Sequence, residues 1–269
     1  MSHDSPLFNS LQLAITSRIQ KDLTVYCLDQ PLPSHAPDFF SNDYLSLSAD
    51  DSVRDIFLRR AQAASPGRLF GSSGSRLLTG NSTEFNALEK AFQSFFQAPS
   101  ALLFGSGFSA NVAFLGAVPQ KNDVIIYDEL IHASCRDGIR SSPRASYRFS
   151  HNSVASFKEC LLRVLQNHPE VIQGNSTVFV VIESLYSMDG DFCPLTEIVE
   201  VVESSVPAGR AHIVVDEAHT SGIYGPNGTG YVAHLGLNDR VHTKVHTFGK
   251  AWGYHGGMYI FASYLQYSH

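Results

Sequence analysis

The segment HIVVDEAH, residues 212–219, combines a short apolar run with a polar end. Two β-branched residues, Val214 and Val215, lead directly into Asp216, and His219 follows shortly after it. A continuous apolar run bounded by polar residues is typical of a strand buried on both faces of a mostly parallel sheet. The segment therefore predicts an inner strand that ends in a carboxylate.

Four further segments share this pattern and also predict strands. They are SALLFGSG (100–107), DVIIYDE (123–129), TVFVVIES (177–184) and KVHTFGK (244–250). Helix-like segments separate several of them, namely SFKECLLRVLQNH (156–168) and PLTEIVEVVESS (194–205). This alternation predicts an α/β fold in which helices flank a mostly parallel sheet. Ligands of such sheets bind at the carboxyl ends of the strands, so the polar side chains found there indicate an active site.

The N-terminal part of the chain has a different pattern. Residues 7–22 have apolar side chains at helical spacing and predict an amphipathic helix, and a proline-containing connector follows at 29–38. The glycine-rich residues 66–82 predict a loop, and the next helix pattern begins at a cap residue, Ser82 or Thr83. We therefore expect an N-terminal helical arm and connector over residues 1–40 and one large domain over residues 41–269.

Composition excludes some classes of partner. The chain has 269 residues and a net charge of -6, which argues against nucleic acid because phosphate backbones attract basic faces. No apolar run is long enough to span a bilayer, so no membrane association is expected. The four cysteines lack C-x-x-C spacing and no signal-like segment precedes them, which predicts reduced thiols and a cytoplasmic location.

Three features near the strand ends each allow more than one interpretation. Asp216 could cap a helix, hold a metal, relay a proton or pair with a protonated ring nitrogen. His132 could stack on an aromatic ligand, ligate a metal or pack as an ordinary histidine. The small residues at 105–108 could form a plain strand–helix turn or a helix N-terminus that binds an anion. No metal is expected, because the histidines and cysteines lack the short paired spacings of zinc sites.

Lys250, in the segment HTFGKAWGYHGG (246–257), directly follows an apolar run and a glycine. In a desolvated site the charged form of lysine is disfavoured, and the neutral amine forms Schiff bases. Pyridoxal phosphate requires such a lysine, a carboxylate for its pyridine nitrogen, a phosphate cradle and a ring-stacking group. Lys250, Asp216, the 105–108 turn and His132 match these requirements in turn, so the sequence predicts a pyridoxal phosphate site.

Seven segments carry a resemblance to a known family. They are SNDYLSLS (41–48), GSSGSRLLTGNS (71–82), FGSGFSAN (104–111), DELIHAS (128–134), ESLYSMDGDFCPL (183–195), VVDEAHTSGIYGPNGTG (214–230) and HTFGKA (246–251). Over about residues 40–262 they resemble the α-oxoamine synthases of fold type I, and within that family the 8-amino-7-oxononanoate synthase branch of the biotin pathway, especially its fungal members. These are pyridoxal phosphate enzymes that condense an amino acid with an acyl-CoA and release carbon dioxide.

The resemblance implies the large domain of a fold type I transferase, a homodimer, and an amino acid and an acyl-CoA as substrates. The amino acid of the biotin branch is alanine. The family continues beyond the point where this sequence stops, so we expect the small C-terminal domain to be missing. Three alternatives stay open: a relative that releases polyketide or fatty acyl chains in secondary metabolism, a plain aminotransferase, and an inactive shortened paralogue.

The resemblance also implies roles around the cofactor ring. Lys250 would form the Schiff base and move the α-proton of the substrate. Asp216 would pair with the pyridinium nitrogen, and His132 would stack on the ring face; these three are the predicted catalytic residues. His219 and Ser187 would donate or accept hydrogen bonds around the ring phenolate.

A second group of roles concerns the phosphate and the substrates. The resemblance implies that the amides of Gly107 and Phe108, together with Thr247, hold the phosphate. Asn42 would lie near the substrate. Arg18 belongs to a segment, RIQKDLT (18–24), that is richer in arginine in the family and is thought there to meet the acyl substrate.

Overall fold

The structure, a computed structural model, describes residues 5–23, 37–64 and 72–262. The chain divides into two compact units, residues 1–41 and residues 42–269. The first unit contains helix α1, Pro6–Gln20, capped by Ser5, whose side chain accepts a hydrogen bond from the Phe8 amide at 3.1 Å. This confirms the predicted N-terminal helix, which ends before residue 22 because Asp22 has a left-handed backbone (φ 54°). Most of the predicted connector at 29–38 lies outside the described residues.

The second unit contains the sheet and the remaining helices. Its helices are α2 (Asp51–Ala63), α3 (Thr83–Phe96), α4 (Gly107–Ala117), α5 (Ala133–Ser141), α6 (Val154–Asn167), α7 (Pro169–Gln173), α8 (Leu195–Ser205) and α9 (Tyr231–His234). Its strands are β1 (Ser100–Phe104), β2 (Val124–Asp128), β3 (Ala145–Phe149), β4 (Val178–Glu183), β5 (Ala211–Asp216), β6 (Thr243–Thr247) and β7 (Gly257–Phe261). In the part of the chain with described coordinates, no helix is both long and apolar enough to cross a membrane.

The seven strands form one sheet in the order β1-β7-β6-β5-β4-β2-β3. β7 runs antiparallel to both of its neighbours, and every other pairing is parallel. The prediction of a mostly parallel sheet is therefore confirmed, as are all five predicted strands. The sequence did not predict β3, which lies at the edge of the sheet and is partly exposed, or β7, which follows a glycine cluster.

Predicted local features around the helices are also confirmed. Ser82 is the N-cap of α3, and its hydroxyl accepts a hydrogen bond from the Phe85 amide at 3.2 Å. The segment before this cap is irregular over residues 72–82, as the glycines predict; residues 66–71 lie outside the described part. Helices α6 and α8 match the predicted helix segments.

Apolar side chains from the central strands and from α4, α6 and α8 form the main core. All six residues of β4 are buried. The largest fully buried side chains of this core include Phe149, Phe157, Leu161, Ile182 and Ile198. Burial of each such side chain contributes roughly 1.5–3 kcal/mol, so the sheet is a rigid frame for the residues at its carboxyl edge.

The register of the sheet brings the ends of β4, β5 and β6 together. Glu183, the last residue of β4, pairs with Asp216, the last residue of β5, and Asp216 pairs with Val245 of β6. Because these strands are parallel, the turn that follows β6 lies beside the end of β5. That turn carries Lys250.

Candidate active site

A cavity of about 220 Å³ opens at the carboxyl edge of the sheet. Pockets for drug-sized ligands occupy roughly 300–1,000 Å³, so this one suits a small ligand. Seven of the residues predicted from the sequence line it: Gly107, Phe108, His132, Asp216, His219, Thr247 and Lys250. They come from four separate chain segments, namely the N-termini of α4 and α5 and the ends of β5 and β6 with their following turns, which the strand order of the sheet brings together.

Lys250 lies in the tight turn between β6 and β7. The turn is closed by backbone hydrogen bonds from Gly253 to the Lys250 carbonyl (2.8 Å) and from Tyr254 to the Phe248 carbonyl (2.9 Å). Burial lowers the pKa of the Lys250 amine, although the nearby carboxyls of Asp216 and Glu183 act in the opposite direction. The neutral, nucleophilic form of this amine is therefore more accessible than that of a surface lysine.

His219 orients the Lys250 amine. Nζ of Lys250 lies 2.9 Å from Nε2 of His219, and Nδ1 of His219 lies 2.7 Å from the Tyr44 hydroxyl. The Tyr44 hydroxyl donates to Oδ1 of Asn42 at 3.1 Å, so Nδ1 of His219 is the donor to Tyr44, and Nε2 is left to accept from Lys250. Burial lowers the pKa of His219 to about 4, which keeps the imidazole neutral in this role.

Asp216 is held by two hydrogen bonds that fix its carboxylate at the end of β5. Oδ2 accepts from the side-chain amide of Asn111 at 2.7 Å, and Oδ1 accepts from the Ala218 amide at 2.9 Å. The Tyr259 hydroxyl donates to Oδ1 of Asn111 at 3.1 Å, which directs the NH₂ group of Asn111 toward Asp216. The carboxylate therefore faces the cavity in a fixed orientation, as a partner for a protonated ring nitrogen requires.

The N-terminus of α4 provides donors for an anion. Ser106 caps the helix, because its hydroxyl accepts from the Ser109 amide at 3.0 Å and its carbonyl accepts from the Ala110 amide at 3.0 Å. The amides of Gly107 and Phe108, the first two of the helix, have no hydrogen-bond partner among the described residues. The positive end of the helix dipole adds to their attraction for a phosphate group.

Gly107 also sets the distance between α4 and β6. A Cβ atom at this position would lie 3.1 Å from Cβ of Thr247 and 3.2 Å from its hydroxyl. Only a residue without a side chain therefore lets the helix amides and the Thr247 hydroxyl approach one small anion together.

His132 is the N-cap of α5, and its ring is fixed from one side. Nδ1 accepts from the Ser134 amide at 3.2 Å and lies 2.7 Å from the Ser134 hydroxyl, so the neutral ring carries its proton on Nε2. Burial, opposed by the Asp216 charge, lowers the pKa of His132. The resulting flat, neutral imidazole suits stacking against an aromatic ligand.

Together these groups fit pyridoxal phosphate. The cavity presents a partly desolvated amine, an oriented carboxylate, an imidazole face and two free amides at a helix N-terminus whose glycine leaves room for a phosphate. Each corresponds to a different part of the cofactor.

The structure does not bring every predicted residue to the cavity. Ser187 lies in an exposed turn after β4 and is not among the lining residues. Asn42 is exposed, and a hydrogen bond from the Tyr44 hydroxyl connects it to His219 of the site. Arg18 is an exposed residue of α1 in the first unit. The roles of these three residues stay predictions, as do the roles of the seven that line the cavity.

Several lining residues were missed by the sequence interpretation. They are Asn111, Ser134, Glu183 and Ala218, whereas Ser106 belongs to the 105–108 turn that the sequence predicted as a phosphate cradle. Glu183 could have been found, because it is the polar residue at the end of a predicted strand. Asn111 had no such signal, since it lies inside a helix and meets Asp216 across 105 residues of sequence.

Comparisons with known proteins show which proteins this chain resembles. An 8-amino-7-oxononanoate synthase of Emericella nidulans is 45% identical over 265 residues, which cover 96% of this chain and 63% of that protein. Aminoacyl transferase sphA of Byssochlamys spectabilis is 40% identical over 217 residues, covering 80% of this chain and 46% of that protein. The chain thus spans less than two thirds of the length of either relative.

A solved structure shows the same fold with the cofactor present. A variant of serine palmitoyltransferase from S. paucimobilis with bound PLP-myriocin aldimine superposes with a TM-score of 0.76 at 27% identity, covering 95% of this chain and 63% of that one. Residues 37–264 match the model of aminotransferase class I and II, a pyridoxal-phosphate-dependent family. The sheet, the cavity and these similarities lead to one conclusion: this chain belongs to the aminotransferase class I and II family, and its cofactor is pyridoxal phosphate.

Proposed function

We propose that this chain acts as an oxoamine synthase, which condenses an amino acid with an acyl-CoA thioester and releases carbon dioxide to give an α-aminoketone. The observation that carries the proposal is the shared cavity, in which Lys250 and Asp216 lie with His132, His219 and the free amides of α4. The 45% identity to an 8-amino-7-oxononanoate synthase supports this reaction class.

The residues of the cavity bind and orient the cofactor. When bound, pyridoxal phosphate supplies an aldehyde that links to amines and a ring that accepts the electron pair of a bond broken at the α-carbon. Asp216 would hold the proton of the ring nitrogen, and His132 would pack on the ring face. The amides of Gly107 and Phe108, with Thr247, would hold the phosphate.

Lys250 is the base of the proposed reaction. Because burial lowers the pKa of its amine, a neutral form that takes the α-proton of the amino acid is accessible. Nε2 of His219 accepts a hydrogen bond from this amine and keeps it in place while the proton is held. After carbon dioxide has left, the same amine returns a proton to the α-carbon.

The substrates proposed are alanine and a seven-carbon dicarboxylic acyl thioester, pimeloyl-CoA. The product named in the Emericella nidulans relative, 8-amino-7-oxononanoate, has the carbon skeleton that these two give once carbon dioxide is lost. A homodimer and a cytoplasmic location complete this proposal.

A second candidate follows from the similarity to aminoacyl transferase sphA, at 40% identity. In this alternative, the chain joins an amino acid to a longer acyl thioester in secondary metabolism. The cofactor chemistry is the same, and only the acyl substrate differs.

Turnover assays separate these possibilities. Release of free CoA and of labelled carbon dioxide would be measured with alanine and either pimeloyl-CoA or long-chain acyl-CoA. Oxoamine synthesis gives equal amounts of both products, and the preferred thioester identifies the branch. A plain aminotransferase would instead transfer the amino group to a keto acid without consuming thioester.

Lys250→Ala tests whether the cavity carries the reaction. We expect this variant to lose activity, while Lys158→Ala, a change at an exposed lysine of α6, retains it. Equal, measurable rates for wild type and Lys250→Ala would contradict the proposed role of the cavity. No turnover in either protein would contradict the proposed function and favour an inactive paralogue.

A further inference from the structure

The cavity contains a second carboxyl group beside Asp216. Glu183 ends β4, Asp216 ends β5, and the two are direct partners in the parallel register. Both line the cavity, and both are nearly inaccessible to solvent, with 4% and 6% of their surface exposed. Two carboxyl groups in one small cavity resist being ionised together, because like charges repel strongly at low dielectric.

The hydrogen bonds of the two carboxyls differ. Asp216 accepts from two donors, the side chain of Asn111 and the amide of Ala218. Glu183 accepts from one, the backbone amide of His132, through Oε1. Among the described residues, Oε2 of Glu183 has no hydrogen-bond partner. The negative charge is therefore better stabilised on Asp216, and the free oxygen of Glu183 is the place for a proton.

The surrounding charges agree with this division. Burial and then the Asp216 charge raise the pKa of Glu183 to about 8, while the His132 amide and the Lys250 amine oppose the increase and Asp128 adds to it. The neighbouring acidic groups, the Cys135 thiol and the Tyr186 hydroxyl, have pKa values raised by burial and do not add charge near neutral pH. Below about pH 8, Glu183 is therefore mostly neutral.

We propose that Glu183 is a ligand-binding residue of this cavity that, in its neutral form, donates a hydrogen bond to an anionic oxygen of the bound ligand. The inference rests on the proposed function. The anionic oxygen belongs either to the cofactor ring or to the carboxylate of the amino acid. Loss of the proton from Glu183 at higher pH removes the donor and places a negative charge beside that oxygen.

Binding titrations test the donor role. The affinity of wild-type protein for pyridoxal phosphate would be followed by absorbance between about pH 6.5 and pH 9.5, first alone and then with saturating alanine. An effect without alanine assigns the oxygen to the cofactor, and an effect only with alanine assigns it to the amino acid. In the titration that responds to pH, the affinity of the wild type for pyridoxal phosphate should fall up to about tenfold between pH 7 and pH 9. The upper limit lies one pH unit above the pKa of Glu183, which is about 8.

Three variants isolate Glu183 in this titration. Glu183→Gln keeps a permanent N–H donor and should lose the component of the pH dependence above pH 8. Glu183→Leu should bind pyridoxal phosphate more weakly than the wild type below pH 8, and its affinity should also lack the pH dependence above pH 8. Glu200→Gln, a matched change at an exposed residue of α8, should behave as wild type. A wild-type pH profile in Glu183→Gln, in both arms, would overturn the proposal.

An infrared measurement keeps this inference separate from the proposed function. Burial also raises the pKa of Glu217 to about 7, so the band of Glu183 is read from difference spectra of the ligand-free protein at about pH 7. The carbonyl band of a buried protonated carboxyl group should appear in the difference between wild type and Glu183→Gln but not in that between wild type and Glu200→Gln. A missing band would overturn the proposal whatever the binding data show. If the band is present but the wild type binds no pyridoxal phosphate at any pH, the proposed function fails, and the ligand role of Glu183 fails with it.

Discussion

The amine of Lys250 lies 2.9 Å from Nε2 of His219, and a neutral imidazole accepts its hydrogen bond. This contact joins the turn after β6 to the turn after β5, although 31 residues separate the two side chains in sequence. Because Tyr44 holds the other ring nitrogen, the tautomer of His219 and the direction of the lysine amine are fixed together.

Replacing His219 with alanine should weaken binding of pyridoxal phosphate. The change removes the hydrogen bond that the resemblance implies between His219 and the ring phenolate, which is worth about 0.5–1.5 kcal/mol, so the dissociation constant should rise about two- to tenfold. Absorbance titration measures the effect. His234→Ala, at an exposed histidine, is the matched control and should bind as wild type. Equal affinities for both variants would show that the contact does not contribute.

Adding a methyl group at Gly107 should disturb the phosphate cradle. The new Cβ would lie 3.1 Å from Cβ of Thr247, so α4 and β6 must separate slightly, and affinity for the cofactor should fall several-fold. Gly105→Ala is the matched control, because a Cβ there meets no atom within 4 Å. Titration of both variants with pyridoxal phosphate tests this, and an equal loss of affinity in the two would contradict the assigned role.

Gly230→Ala should destabilise the fold strongly. A Cβ at this position would lie 1.8 Å from Oε2 of the buried Glu217, which accepts hydrogen bonds from the amides of Tyr231 and Val232 at the start of α9. Gly236→Ala shares a positive φ but meets nothing within 4 Å, so it should cost only about 1 kcal/mol. We expect Gly230→Ala to cost about 3 kcal/mol or more in denaturant unfolding. Similar losses in both variants would exclude the clash as the cause.

His151 should make the stability depend on pH. Burial lowers its pKa, but hydrogen bonds and charges from Asp128 (2.8 Å) and Asp191 (3.1 Å) outweigh this and raise it. Asp189 lies in the same cluster. Because the folded-state pKa is raised, the stabilisation is complete below the unfolded value of about 6.5 and is lost as pH rises through the folded value.

Unfolding free energies between about pH 5.5 and pH 8.5 measure this contribution. In His151→Gln the part of the decline that belongs to this residue should disappear, whereas His234→Gln, at an exposed histidine, should keep the wild-type profile. An unchanged profile in His151→Gln would show that the ion pairs do not stabilise the fold.

The sequence predicted the parts of the fold that depend on local burial. Inner strands such as β4 and β5 are continuous apolar runs, so their pattern alone identifies them. β3 contains polar and exposed residues, and its strand state depends on pairing with β2, which lies more than ten residues earlier. Such an edge strand has no equally clear signal in its own sequence.

The sequence predicted the site residues that lie at strand ends, but not those that depend on tertiary packing. Lys250, Asp216 and His132 each follow or end a predicted strand, so strand order brings them together. Asn111 and Tyr44 act through contacts with Asp216 and His219 that depend on how α4 and the segment after residue 42 pack. These contacts are tertiary and leave no spacing to detect in the sequence.

Covalent capture of the cofactor shows which lysine binds pyridoxal phosphate. The protein would be incubated with pyridoxal phosphate, reduced with borohydride, digested and analysed by mass spectrometry to find the modified lysine. We expect one dominant adduct on the peptide that contains Lys250, and its loss in Lys250→Ala. An adduct spread over exposed lysines such as Lys158, with none at Lys250, would contradict this prediction.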